Sequence, residues 1–394
     1  MKIWKIKRRI YQLYILFKYI TIWLFVKMFE KKLIQNSKYK NLWIVSERGN
    51  DARDNGYVFF KYLKENHKDI NTRYIINSKS VDYKKIAQYG ETIEYGSIEH
   101  YIAIILAKVL ISTHIMGYTP QMNLFMYLDK VKKLKLKGKK VFLQHGIIKD
   151  KMNLKSSLDL FVSGAEREYS FLIETYPQYR SSIKNTGLAR YDFLKQEECK
   201  KQILIMPTWR LYLSDCKDIT PYDYFRCYND LLNDDNIIEL LDKNGYELLF
   251  YPHYEMQKFL GKYNTKRPDI IKIAKFEDYD VQRLLIESSI LITDFSSVFF
   301  DFAYMRKPII YYQFDEEKYR ETQYQEGYFD YRRDGFGRVV KQREELIVEL
   351  DKILKNNSCI QDDYKRRIDG FFGNKSIVKN CDKIYNEIIK LFYN

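Results

Sequence analysis

The residues best suited to chemistry in this chain sit directly after short apolar runs. The run Ile290–Thr293 is followed at once by Asp294, Ser296 and Ser297, and Val298–Tyr304 then reads as a helix that also carries Asp301. Free N–H groups and the positive end of the dipole in a first helical turn can hold a phosphate. The plain alternative is that Asp294 or Ser296 only caps the helix, which accounts for one such residue better than for the whole set. A second run ends in Phe142–Asp150, FLQHGIIKD, where His145 precedes Gly146. An imidazole near its ordinary pKa suits removing a proton from a hydroxyl nucleophile, and a glycine beside it lets backbone and substrate approach closely. Thr208 and Arg210 in MPTWR, and His253 in FYPHYE, add a hydroxyl and two groups for charge-assisted bonds to phosphate oxygens. Three of the five histidines (His114, His145 and His253) fall at such ends; for His114 the preferred reading is a structural ring, and for Trp209 it is packing.

Those positions require strands to present them. Apolar runs recur at Leu42–Val45, Tyr74–Ile76, Val109–Ile111, Val141–Leu143 and Leu160–Val162, and again at Ile203–Met206, Leu248–Tyr251, Ile270–Ile273, Ile290–Thr293 and Ile309–Tyr312. Helical stretches lie between them. Continuous apolar strands alternating with helices imply parallel sheets covered on both faces, whose ligands bind beyond the carboxyl ends. Two such sets predict an α/β chain of two doubly wound, Rossmann-like domains. A polar break at Gly187–Lys201 divides them, giving residues 36–192 and 193–394 after an N-terminal segment of residues 1–35.

That first segment places Lys2, Lys5, Lys7, Arg8 and Arg9 before the apolar stretch Ile10–Phe29. Cleavage as a signal peptide is not expected, because no Ala or Gly precedes Gly49. Lys18, central in the stretch, disfavours a spanning helix, whereas basic residues with Trp4, Trp23 and several tyrosines suit a helix lying on an anionic inner membrane face. Gln12, Lys18, Thr21 and Lys27 do not share one helical face, and the alternative is a helix packed on the following domain.

At 394 residues, 46% hydrophobic and 30% charged, the chain can fill two cores. A net charge of +15 favours nucleic acid, anionic lipid or phosphorylated substrates without choosing among them. Five cysteines show neither CxxC nor zinc-ligand spacing, so reduced thiols are expected and no metal site is assigned. Asp278-Tyr279-Asp280 resembles a metal-binding DxD but leads into VQRLLIESS, which makes Asp280 an N-cap. No GxGxxG, GxxxxGK[ST], HExxH or GxSxG occurs, so dinucleotide, P-loop, zincin and serine-hydrolase readings lose their main support.

Taken together, FLQHGIIKD, MPTWR, YPHYE and LLIESSILITDFSSVFFDFAYMRKPIIYY resemble the CDP-glycerol glycerophosphotransferase family of teichoic acid primases and polymerases, with relatives in capsule synthesis. The likeness runs from about Leu42 to Val340. It implies a GT-B-type fold, two Rossmann-like domains facing a cleft, and work at the cytoplasmic membrane face on CDP-activated polyols. By matching motif it implies His145 as the base at an acceptor hydroxyl, and Arg210, His253, Ser296 and Ser297 around the donor pyrophosphate with Asp294 and Asp301 supporting that loop. Asp54 and Asn55, in RDNGY, match an acceptor-side segment, and Gln144-His145-Gly146 stands where many members carry Trp-His-Gly.

The expectation is a membrane-associated transferase that moves glycerol phosphate, or a related polyol phosphate, from its CDP ester to a membrane-linked glycan or polyol-phosphate acceptor and releases CMP. No cofactor is called for, the need for a divalent metal is open, and nucleic acid is not an expected partner. Two other readings remain: a GT-B glycosyltransferase using a nucleotide sugar, and a non-catalytic basic protein that binds membrane or nucleic acid.

Overall fold

The computed structural model describes residues 2–152, 154, 156–194, 199–323, 327–373 and 378–393, with backbone alone for 2–8. They form two compact units. The first comprises Met1–His145, Asn153–Asp192 and Ser376–Asn394; the second comprises Gly146–Met152 and Phe193–Lys375.

In the first unit the strands are β1 (Trp43–Ser46), β2 (Thr72–Ile76), β3 (Thr92–Glu94), β4 (Val109–Ser112), β5 (Lys139–Phe142), β6 (Leu160–Ser163) and β7 (Ile183–Asn185). They pair in parallel in the order β3-β2-β1-β4-β5-β6-β7. The second unit holds β8 (Lys200–Ile205), β9 (Glu247–Phe250), β10 (Ile271–Ile273), β11 (Ser288–Thr293), β12 (Ile309–Tyr312) and β13 (Gly337–Val340), in the order β10-β9-β8-β11-β12-β13. Strands such as β1, β4 and β12 are buried along their whole length, as both-face cover by helices demands. The edge strands β3, β7 and β10 are three residues each and only partly buried. In β13 a Cβ on Gly337 would meet the Ile309 carbonyl oxygen at 1.8 Å, so glycine is what lets this strand pair with β12.

The N-terminal helix Lys2–Gln35 turns a stripe of Ile15, Tyr19, Ile22 and Val26 into the core of the first unit, together with Tyr101, Ile104 and Phe125. Lys18 Nζ donates to the Gly96 carbonyl at 2.8 Å and lies over the Tyr101 ring. Packing on the domain, the alternative to a free surface helix, is therefore what one face does. The opposite face leaves Leu13, Phe17 and Met28 at 64, 73 and 76% exposure.

Two segments fall outside the expected domain limits. The helix Asn380–Lys390 belongs to the first unit, because Asp192 accepts from the N–H groups of Asn380 and Cys381, both at 2.8 Å, and Tyr385 stacks on His67. Conversely, Gly146–Met152 belongs to the second unit, where Asp150 meets Arg320 at 3.3 Å.

Candidate active site

In the second sheet the strand order reverses between the neighbours β8 and β11, the position where open parallel sheets bind ligands. Their carboxyl ends carry Thr208–Arg210 and Asp294–Ser297. Asp294 is fully buried and ties the two ends together: one carboxylate oxygen accepts from the N–H groups of Thr208 (2.8 Å) and Phe295 (2.5 Å), while the other meets Arg210 Nη2 at 2.8 Å.

Arg210, expected beside the donor pyrophosphate, is held within the fold by its surroundings. The guanidinium is 0% exposed. It forks onto Asp315 at 2.7 and 2.8 Å, donates to the Thr208 carbonyl at 2.8 Å, and is boxed by the rings of Tyr224, Phe295 and Tyr319. Burial opposes its charge, but Asp294 and Asp315 outweigh that and hold its pKa well above the ordinary value. Its donors are spent on the frame of the loop.

What the loop presents outward is different. Ser296 and Ser297 are partly exposed; Ser297 begins the helix Val298–Tyr304 without a side-chain cap bond, and Ser296 Oγ lies 3.4 Å from the Val298 N–H. Capping thus uses little of either hydroxyl. Thr208 Oγ1 is buried and has no hydrogen-bond partner among the described residues. Asp301 is buried on the same short helix. His253, after β9, accepts from the Glu255 N–H at Nδ1 (3.3 Å), and its ring lies beside that of Trp209.

Sequence reasoning passed over the cations around Phe295. Lys149 is buried, pairs with Asp150 and lies over the Tyr331 ring; burial pushes its pKa down while Asp150 pulls it up. Arg320 reaches Asp150 and lies over Phe295, which stacks on Tyr319 at 3.9 Å. Lys149 and Asp150 stood in the FLQHGIIKD run; Arg320 lies on a charged helix with nothing in its pattern to single it out.

In the first unit the order reverses between β1 and β4. Glu47 and Arg48 follow β1, and Thr113 and His114 follow β4; His145 comes from the end of β5. The His145 side chain is exposed and its ring stacks on His114 at 4.9 Å and 15°. The residue before it, Gln144, takes a left-handed φ of 58°, so the special conformation of this turn falls there; Gly146 is buried and belongs to the second unit.

Asp54 and Asn55 do lie at this loop, but as its supports. Asn55 is fully buried, donates to the Gln144 carbonyl at 2.8 Å and accepts from the Arg190 N–H at 2.9 Å. Asp54 starts the helix Asn55–Asn66 by accepting from the Asn55 N–H, and it pairs with Arg190 at 2.6 Å. Arg190 also donates to the His145 carbonyl at 2.8 Å, which fixes the backbone of the histidine. The buried Asn55 thus holds the backbone of this acceptor-side loop. Glu47 accepts from the N–H groups of Arg53, Asp54 and Tyr57; burial first, and the nearby Asp54 charge second, raise its pKa to about 7.

Asp280 is the N-cap expected from sequence, accepting from the Arg283 N–H. Among the described residues no group of three or more His, Cys, Asp or Glu is placed to hold a metal ion.

Over 373 residues the chain is 35% identical to the minor teichoic acid biosynthesis protein GgaB of Bacillus subtilis (strain 168), covering 89% of this chain and 40% of that protein. It is 27% identical over 350 residues to the teichoic acid poly(glycerol phosphate) polymerase of the same strain, covering 80% of this chain and 44% of that one. The chain therefore spans less than half the length of these two relatives. Among solved structures, a variant of the wall teichoic acid polymerase TagF soaked with CDPG superposes with a TM-score of 0.65 at 18% identity, over 97% of this chain and 99% of that one, which shows a shared GT-B-like fold. Residues 27–390 match the CDP-glycerol:poly(glycerophosphate) glycerophosphotransferase family, and the chain belongs to it.

Proposed function

We propose that this chain transfers glycerol phosphate, or a closely related polyol phosphate, from its CDP ester to a hydroxyl of a growing teichoic acid-like or capsular polymer. The observation that carries the reading is the β8–β11 switch point. There Asp294 and Arg210 fix two loops so that Ser296, Ser297 and the Thr208 hydroxyl, which has no partner among the described residues, stand at strand ends. A TagF variant has been soaked with CDPG, and its fold is shared.

In this reading the second unit binds the donor. Ser296, Ser297, Thr208 and His253 donate to the pyrophosphate oxygens, and preorganised donors of this kind stabilise charge that develops in the transition state. Asp294, Asp301 and Arg210 keep the loop in place. The first unit serves the acceptor: the exposed His145 takes the hydroxyl proton as the oxygen attacks the β-phosphorus. The bond from that phosphorus to the bridging oxygen breaks, and CMP leaves with the oxygen.

The N-terminal helix fits attachment to an anionic inner membrane face. Its packed face is fixed on the domain, and its outward face, with Leu13, Phe17, Leu24, Phe25 and Met28, is apolar and aromatic beside basic residues.

The test is a panel of CDP-glycerol, CDP-ribitol and nucleotide sugars offered with a glycerol-phosphate oligomer. Release of CMP with growth of the oligomer by one polyol phosphate is expected. Release of a nucleoside diphosphate from a nucleotide sugar would replace the reading with sugar transfer. Salt-dependent nucleic-acid binding without turnover of any donor would replace it with a non-catalytic role.

A further inference from the structure

We propose, on the reading that the first unit serves the acceptor with His145 as base, that Arg48 binds a phosphate of the acceptor. The acceptor of this chain then carries a phosphodiester close to the hydroxyl it offers.

Three neighbouring strand ends set the relevant groups in a row. Ser46 of β1 pairs with Ser112 of β4, and Ser112 with Phe142 of β5. Arg48 stands two residues beyond Ser46, His114 two beyond Ser112, and His145 three beyond Phe142. The Ser112 hydroxyl stitches the first two ends together: it donates to the Glu47 carbonyl at 3.1 Å and accepts from the His114 N–H at 3.1 Å. His114 in turn stacks on His145. Burial, then the charges of His145 and Arg48, hold the His114 pKa down, in keeping with an arginine at this end of the sheet. Neighbouring strands lie about 4.8 Å apart, so β1 and β5 are separated by roughly 10 Å. An arginine side chain and one polyol unit bridge such a gap.

The loop that carries Arg48 is pinned by other groups. The Gly49 carbonyl accepts from the Asn77 N–H at 2.7 Å, the Asn50 carbonyl from Ser80 Oγ at 2.7 Å, and the Asp51 carbonyl from Tyr74 Oη at 3.0 Å. The Tyr95 ring lies so close over Gly49 that a Cβ there would meet it at 2.1 Å. An exposed ion pair adds little stability to a backbone already fixed in this way.

Arg48 is nonetheless aimed. Its Nε and Nη2 both reach Asp51 Oδ2, at 2.8 and 2.7 Å, and its side chain is 50% exposed. Both bonds use one edge of the guanidinium. Nη1 has no partner among the described residues, so the end-on fork of Nη1 and Nη2 is left for a planar or tetrahedral anion. Arg53 and Arg190, the other arginines of this region, are 13 and 7% exposed and pair with Asp82 at 2.8 Å and Asp54 at 2.6 Å. The surrounding carboxylates are thus matched one by one, and Glu47 is buried with its pKa raised, chiefly by that burial, to about 7. A neutral glycan hydroxyl has no use for a half-exposed guanidinium held in this way. A polyol-phosphate chain places a phosphodiester beside each terminal hydroxyl.

Full-length protein is assayed by CMP release from CDP-glycerol with two acceptors. One is a glycerol-phosphate oligomer; the other is the same oligomer with its last phosphodiester methylated to a neutral triester. Wild type is expected to use the diester at a KM about 10- to 100-fold lower, the worth of a charge-assisted hydrogen bond. Arg48→Gln is expected to raise the diester KM by a similar factor. It should leave the triester KM, the CDP-glycerol KM and the thermal midpoint unchanged. Arg48→Lys, which keeps the charge and loses the fork, is expected to fall between. Asp51→Asn, which breaks the same ion pair, is expected to keep the preference for the diester.

Equal use of the two acceptors by wild type, or an unchanged diester KM in folded Arg48→Gln, overturns the proposal. So does an equal loss with diester and triester, or Asp51→Asn as impaired as Arg48→Gln, since either makes Arg48 a part of the loop's structure. Where wild type still releases CMP from CDP-glycerol, these results sink the acceptor contact alone. If wild type releases no CMP from CDP-glycerol with either acceptor, the functional reading fails and the proposal with it.

Discussion

Replacing Arg210 by methionine separates a framing role from a ligand role in the donor unit. The guanidinium meets Asp294 at 2.8 Å and Asp315 at 2.7 Å, and all three side chains are buried. Methionine fills much of the volume but leaves two carboxylates facing each other without a counter-charge. Removing one partner of a buried pair costs about 3–5 kcal/mol, and with two anions stranded the upper end applies. Amide hydrogen exchange reads this locally: Leu204, Ile205, Leu291 and Ile292, in the strands whose ends Arg210 joins, should exchange faster. At 1.4 kcal/mol per factor of ten, about 5 kcal/mol is an increase of roughly 4,000-fold. Adding Asp315→Asn should recover part of the loss by removing one stranded charge. Arg210→Lys should fall between, because an ammonium cannot fork onto Asp315 while reaching Thr208 and Asp294. Unchanged exchange in folded Arg210→Met, with a raised KM for CDP-glycerol, would refute the reasoning and return Arg210 to the phosphate.

Ser296→Ala and Ser297→Ala should each weaken CDP-glycerol binding by about 1–3 kcal/mol, measured calorimetrically, with the thermal midpoint retained; unchanged affinity in both would leave them as helix-start residues only. For Glu47 the folded pKa, about 7, lies above the ordinary carboxyl value of 4.5, so its protonated form contributes stability below about pH 4.5 that is lost as pH rises through 7. The thermal-midpoint difference between wild type and Glu47→Gln should therefore shift against wild type across that window; a pH-independent difference would contradict the shift. Phe17→Ser/Met28→Ser should reduce flotation with phosphatidylglycerol vesicles while leaving the fold intact, since both side chains point outward, and equal flotation would refute membrane attachment through this face. Deleting the helix is a poorer test, because Tyr19 and Val26 are fully buried in the first unit.

How legible these features were depends on how much each is set locally. The central strands were readable because both-face burial makes them continuous apolar runs, as in β4 and β12. The edge strands β3, β7 and β13 were not, since a strand with one neighbour alternates or includes polar residues; TIE, IKN and GRVV carry too little signal. The return of Asn380–Lys390 to the first unit was hidden for another reason. It depends on Asp192 accepting from the start of a helix 188 residues away in sequence, and no local pattern encodes that partner. Lys18 illustrates an ambiguity that sequence cannot resolve: it argued against a spanning helix, and the reason for its presence is a carbonyl at Gly96.

The motifs that carry the family resemblance mix two kinds of residue, and burial sorts them. A side chain that binds or deprotonates a substrate must reach it. A side chain that fixes a loop does best when desolvated and fully paired, because a buried polar group without a partner costs more than an exposed one. Arg210, Asp294 and Asn55 are fully buried and paired within the fold, so their place in the motif reflects the geometry they impose. His145 is exposed, and His253, Ser296 and Ser297 are partly so. Thr208 lies between the classes: its N–H is committed to Asp294, yet its buried hydroxyl has no partner among the described residues. In the proposed reading the donor completes the hydrogen bonding of this hydroxyl. On this ground Thr208→Val, which keeps the shape and removes the hydroxyl, should cost donor affinity while leaving or raising stability. A purely structural threonine would give the opposite pair of results.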